Sequence, residues 1–277
     1  MFYLLWGDTV KLYKVIVIIL ILGSLLLQGN IISQPREIPV LNYHMVEDNV
    51  DNQLAVTVKD FDDQMSYLYR NGYKSITPDE LLSYLKNGDD IPEKSVLITF
   101  DDGYRDTYLN AYPILEKYRF TATVFLITDV VGNDDWYLDW DQVKKMHQAG
   151  FVIGSHTLSH VPLTTLSRDE ALLELQKSKE KIEGELGTTA SYFAYPTGAY
   201  NDEVLDLVKK VGYKAAFSVQ FGKSGQNSNI YELERIPIFR STWAFYDFYL
   251  RLHFTSLVEK ARWIKKEIMG ETLVQAN

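Results

Sequence analysis

Cysteine is absent from the 277 residues, which excludes a disulfide framework, a thiolate metal site and a cysteine nucleophile together. Any bound metal must therefore be held by His, Asp or Glu, and the chain has only five histidines. Positive charge is in deficit: 28 Lys and Arg against 37 Asp and Glu leave a formal charge of −9. That balance argues against a nucleic-acid partner. Internal repeats and low-complexity tracts are missing as well. What is present is apolar material, 46% of the residues, enough to bury a substantial core in one large α/β domain or two small ones.

The N-terminal region lacks charge for a long stretch. Lys11 and Lys14 precede Val15 to Leu27, and the uncharged sequence continues to Gln34. A positively flanked apolar run of this kind is of signal-peptide type. It is short for a membrane span of ~20 residues unless its weakly polar flanks extend it, and no small-x-small cleavage pattern follows. Residues 1–34 are therefore expected to be a signal peptide or a membrane anchor. Lysines on the near side place the rest of the chain outside the cytoplasm, attached to the membrane or envelope, or secreted if the segment is cleaved. A buried N-terminal helix is the alternative, and the unbroken apolar surface speaks against it.

Residues 35–277 are expected to form one domain. Strand-like and helix-like segments alternate after Pro39: strands at Val40 to Tyr43, Ser95 to Phe100, Thr121 to Ile127, Phe151 to Ser155, Tyr192 to Ala194 and Ala215 to Val219. Between them fall helices at Thr57 to Tyr69, from Thr77, at Tyr104 to Tyr118, Trp140 to Ala149, Ser167 to about Leu186 and Asn201 to Val211. Thr77 with Glu80, and Ser167 with Glu170, read as capping boxes. This β-α rhythm predicts a parallel sheet covered by helices, closed or distorted into a barrel, with ligands bound beyond the carboxyl ends of the strands.

Three motifs fall at such ends. Asp101 and Asp102 follow Phe100, and Gly103 frees the backbone to turn. Two adjacent carboxylates repel each other unless a cation or a function compensates, although Asp-Asp-Gly is also a common surface turn. His156 and His160 follow Ser155 at a spacing that places both imidazoles on one face of a helical turn. Two histidines plus a carboxylate form a recurrent zinc set that leaves a position open for water; a histidine pair is otherwise structural or exposed. Ala194-Tyr195-Pro196-Thr197-Gly198 makes a rigid turn able to point backbone N–H groups into a cleft, or is a turn and nothing more. Trp136, Tyr137 and Trp140 offer sugar-stacking surfaces, whereas Trp243, Tyr246 and Leu250 are spaced as a helix face packing on the barrel, with membrane-surface contact the other reading.

Thr99 to Gly103, Ser155 to His160 and Tyr195 to Gly198 together resemble the ordered motifs of the NodB-type polysaccharide deacetylases, carbohydrate esterase family 4, over roughly Arg36 to Phe254. The resemblance implies a distorted (β/α) barrel and a divalent metal bound by Asp102, His156 and His160, with zinc expected first and cobalt, nickel or iron as alternatives. It implies Asp101 as general base and the backbone N–H of Thr197 as an oxyanion donor. Tyr195, Pro196 and Trp140 are the candidate substrate contacts. The chain departs from the common pattern in three places: Ala194 stands where an arginine usually orients the base, no DxxDW segment follows, and no Leu-x-His supplies the late acid. Asn42-Tyr43-His44 is instead similar to the early motif of the poly-β-1,6-N-acetylglucosamine deacetylases, in which that histidine serves as the acid. A core histidine at a strand end is the plain reading of His44; His147 and His253 are the competitors for the acid. The resemblance implies a monomeric enzyme on an extracellular polysaccharide. Peptidoglycan or chitin is the alternative polymer, and an inactive carbohydrate-binding relative the alternative class.

Overall fold

The computed structural model describes residues 36–255; the expected signal or anchor segment, residues 1–34, lies outside them. Ten strands occur in the order β1 (Val40–Tyr43), β2 (Met45–Val46), β3 (Ala55–Val56), β4 (Lys74–Ser75), β5 (Ser95–Phe100), β6 (Thr123–Leu126), β7 (Val152–Ser155), β8 (Tyr192–Ala194), β9 (Ala215–Phe221) and β10 (Leu233–Pro237). The helices are α1 (Val58–Arg70), α2 (Pro78–Asn87), α3 (Tyr112–Tyr118), α4 (Trp140–Gln148), α5 (Arg168–Leu186), α6 (Asp202–Val211) and α7 (Ala244–His253).

β1 pairs in parallel with both β10 and β5, and this closes β1-β5-β6-β7-β8-β9-β10 into a seven-stranded parallel barrel. β4 adds to the first residues of β5, and β2–β3 form a separate parallel pair. Strands covered on both faces read as apolar runs. In β5, Leu97 joins the inward cluster with Val40, Phe125 and Phe217, while Val96, Ile98 and Phe100 pack outward against the helical layer. Helix ends obey their caps: Thr77, Asp139 and Ser167 each complete a capping box, and Gly88, Gly187 and Gly212 close helices in the left-handed conformation.

Four expectations change. The segment from Tyr104 is not one α-helix: a π-helical turn, Thr107–Ala111, precedes α3, and it brings the Asn110 amide to donate to the Val46 carbonyl at 2.7 Å. β9 runs two residues beyond Val219. β10 was not anticipated, because Glu234, Arg235 and Pro237 interrupt any apolar pattern there. Finally, Trp243, Tyr246 and Leu250 do not pack on the barrel; they are 70%, 65% and 48% exposed, while Phe248 and Leu252 are buried. Tyr67 of α1 sets this rotation by packing edge-on against Phe245, Phe248 and Tyr249. Among the described residues no helix is long and apolar enough to cross a membrane.

Candidate active site

Asp101 and Asp102 leave β5 on a turn that few residues tolerate. Asp102 has φ 71° and Gly103 φ 80°, and a Cβ on Gly103 would meet Leu126 Cδ2 at 2.7 Å. His156 and His160 leave β7 on a loop in which Thr157 and His160 are also left-handed, at φ 69° and 64°. The expected helical turn is absent. The loop is pinned instead: Thr157 Oγ1 accepts from the His160 N–H at 3.0 Å, and Glu174 of α5 accepts from the Leu158 and Ser159 N–H groups at 3.0 and 2.9 Å. Non-glycine residues in such conformations cost of order 1–3 kcal/mol each, and they cluster where function holds them.

The result is a convergence of donors. Nε2 of His156 and Nε2 of His160 each lie 3.4 Å from Asp102 Oδ1, and the three ligand atoms all fall within 4.8 Å of one another. The Ala194 carbonyl can only accept, so the 2.8 Å contact from His156 Nδ1 fixes the proton on Nδ1. Nε2 is left with its lone pair toward Asp102, the arrangement of a metal-ligating histidine oriented from behind. Burial lowers His156 to about 3 and also lowers His160. Burial, then the charge of Asp101, raises Asp102 to about 7. Neutral imidazoles facing a buried carboxylate oxygen that has no hydrogen-bond partner fit a divalent cation with a further position open to water.

Asp101 is held differently. Burial would raise its carboxyl, but Arg235 overrides this and, with His156 and His44 nearby, holds it well below the usual carboxylate range. The guanidinium of Arg235 grips both oxygens, Nη1 to Oδ1 and Nη2 to Oδ2, at 2.7 Å each. Arg235 is itself wholly buried. Nε donates to the Ser218 carbonyl at 2.8 Å, Nη1 also reaches Thr99 Oγ1 at 3.2 Å, and Cζ lies 5.8 Å from the Phe125 ring centroid. β10 thus supplies the arginine missing at Ala194. The available signal was that absence together with an arginine amid Leu233, Ile236 and Pro237.

Residues 88–216 match the family described as polysaccharide deacetylase. The chain is 36% identical over 205 residues to the YxkH polysaccharide-deacetylase homologue of Bacillus subtilis, covering 74% of this chain and 72% of that one. It is 34% identical over 197 residues to the poly-beta-1,6-N-acetyl-D-glucosamine N-deacetylase of Staphylococcus aureus, covering 66% and 68%. The chain belongs to the polysaccharide deacetylase family. The deacetylase PplD of Streptococcus pyogenes, solved with acetate, superposes with a TM-score of 0.75 at 30% identity, over 79% of this chain and all of that one. IcaB of Ammonifex degensii gives 0.68 at 26% identity, over 79% and 98%. The protein is therefore a hydrolase acting on carbon–nitrogen bonds.

The remaining candidates of this deacetylase divide by position. His44 follows β1, and the Asp101 N–H donates to the Tyr43 carbonyl at 2.9 Å, which sets His44 beside Asp101. Burial lowers His44 to about 4, with Asp101 opposing and Arg235 and His160 adding to the fall. Its rivals are elsewhere. His147 Nδ1 meets the Phe151 carbonyl ahead of β7 at 3.2 Å, and His253 Nε2 meets the Tyr67 hydroxyl of α1 at 2.8 Å. Thr197 is left-handed at φ 56° in the turn Pro196–Gly198 that follows β8. Tyr195 and Pro196 are not surface contacts: both are buried, and the Tyr195 hydroxyl donates to the Tyr231 carbonyl at 2.9 Å. Trp140 is half-buried against the main core at the start of α4. The ring that does flank the site is Tyr104, beside Asp102 and stacked on Tyr137 at 4.9 Å.

Proposed function

We propose that this deacetylase hydrolyses the N-acetyl groups of N-acetylglucosamine units in an extracellular exopolysaccharide of the poly-β-1,6-linked type. The observation that carries the reading is the position of His44 beside Asp101 at the ends of the neighbouring strands β1 and β5, the arrangement expected of an early acid. Support comes from the Staphylococcus aureus relative and from the family arginine being supplied from β10.

Asp102, His156 and His160 would hold a divalent cation, which we assign to zinc, and it would supply Lewis acidity toward an acetamide carbonyl and a water. Asp101 takes the proton of that water. Arg235 keeps this carboxylate ionised and fixed, at the expense of basicity. The backbone N–H of Thr197 donates to the oxyanion. His44 delivers a proton to the departing amine, and acetate and the free amine result. The enzyme acts as a monomer outside the cytoplasm, attached through residues 1–34 or released after their cleavage.

Acetate release from β-1,6-linked N-acetylglucosamine oligomers, compared with chitin oligomers and peptidoglycan fragments, tests the substrate. The β-1,6 polymer is expected to give the highest kcat/KM. A higher value on chitin or peptidoglycan overturns the polymer assignment, and no release from any of them overturns the activity on this substrate class.

A further inference from the structure

Asn42 is 1% exposed, and neither its Oδ1 nor its Nδ2 has a hydrogen-bond partner among the described residues. A buried amide with no partner on either atom is rare and calls for an explanation. Its direction follows from the strand. Val40 packs inward with Leu97 and Phe217, whereas Leu41 and Tyr43 pack outward, Tyr43 donating to Gln64 of α1 at 2.7 Å. Alternation therefore sends Asn42 into the barrel and His44 to the same side, one step nearer the rim.

The surroundings on that side are polar. Asn42 is in register with Thr99, and Thr99 with Thr123, so three polar side chains form one row across β1, β5 and β6. Thr99 Oγ1 donates to the Leu41 carbonyl at 2.8 Å and accepts from Arg235 at 3.2 Å. Thr123 Oγ1 is buried without a partner, and so is Nδ1 of His44, just past the end of β1. Four unpartnered polar atoms on Asn42, Thr123 and His44 thus lie buried on the inward side of β1 and β6 and of the residue that follows β1.

We propose that Asn42 is a positioning residue for His44, acting through a buried water that accepts from His44 Nδ1–H and donates to Asn42 Oδ1. Buried waters typically make about three hydrogen bonds to otherwise unsatisfied groups, and Thr123 Oγ1 provides a third partner in the same row. The bridge fixes the proton of His44 on Nδ1, orients Nε2 toward the rim, and gives an acceptor to the imidazolium when Nε2 also carries a proton. A barrel interior without such a bridge would be better filled by an apolar side chain at position 42.

The inference rests on His44 being the acid, and the test separates the two. In Asn42→Leu, the thermal midpoint should fall only modestly, because the bridging water loses one acceptor while the protein gains an apolar side chain. Metal content should be unchanged, and kcat on a β-1,6-linked N-acetylglucosamine oligomer should fall roughly 10–100-fold with little change in KM. An activated phenyl acetate, whose leaving group needs no proton, should lose much less. Asn42→Ser, which keeps a hydroxyl and room for water, should recover part of the rate and covers the case in which leucine does not fit. In the His44→Ala background, Asn42→Leu should cost nothing further. If His44→Ala loses activity while Asn42→Leu and Asn42→Ser retain the wild-type rate, or if the two losses multiply, the positioning role is wrong and the acid stands. If His44→Ala keeps full activity, both fall.

Discussion

Three neighbouring strands, β5, β1 and β10, change character along their length. Near their starts they turn Leu97, Val40 and Leu233 into the barrel; near their ends they turn in Thr99 and Asp101, Asn42, and Arg235. Both levels are buried, so burial does not distinguish them. The lower level is ordinary core. The upper level carries an ion pair, unpartnered amide atoms and, at the rim, four left-handed non-glycine residues: Asp102, Thr157, His160 and Thr197. The fifth such residue, Arg119, merely ends α3. One barrel therefore holds a stabilising half beneath a half that spends stability on geometry, and substitutions should sort accordingly.

The largest effect is expected at the top. Asp101→Asn should retain the metal and the fold while turnover falls about 10²–10⁴-fold, the usual contribution of a general base; metal analysis beside acetate release checks it. Arg235→Met comes next, because it leaves Asp101 buried and uncompensated, a loss of about 3–5 kcal/mol in chemical denaturation. Adding Asp101→Asn should return most of that stability without returning activity. Leu97→Ala probes the lower level: it should lose about 2–5 kcal/mol, with the rate per folded molecule unchanged. A marked loss of kcat there would mean that the two levels are not separable.

The smallest effect concerns Asp106, just ahead of the π-helical turn. Burial raises its carboxyl to about 7, against a backbone hydrogen bond from Val46 and with Glu47 adding. The folded protein therefore binds this proton more tightly than the unfolded chain, and stability should decline as pH rises from about 4 through about 7, then level off. Asp106→Asn should remove that slope, so its advantage in thermal midpoint over wild type should widen between pH 5 and pH 8. An equal gap at both values contradicts the assignment.

Much of this division was legible in the sequence. The β-α rhythm, the capping residues and the carboxyl-end positions of Asp102, His156 and His160 follow from local pattern, which the fold respects. Arg235 was hidden because a strand that buries an ion pair has no apolar signature, and its partner lies 134 residues away. Motif proximity makes Tyr195 a candidate contact, but alternation from Phe193 turns it outward from the barrel, onto the layer of α5 and α6, where it joins the cluster with Leu175 and Val208. The orientation of α7 was ambiguous because aromatic residues occupy more than one of its faces. The left-handed Thr157 and His160 have no sequence signal, since the loop needs the tertiary contacts of Glu174 beside the local bond between them.

Metal titration of the full-length protein, stripped and then refilled, with bound metal and released acetate measured on the same samples, tests the account most directly. Wild type should bind one divalent ion per chain and recover activity in proportion to occupancy, whereas Asp102→Ala, His156→Ala and His160→Ala should each lose both. Stoichiometric metal with full activity in any of the three would contradict the site.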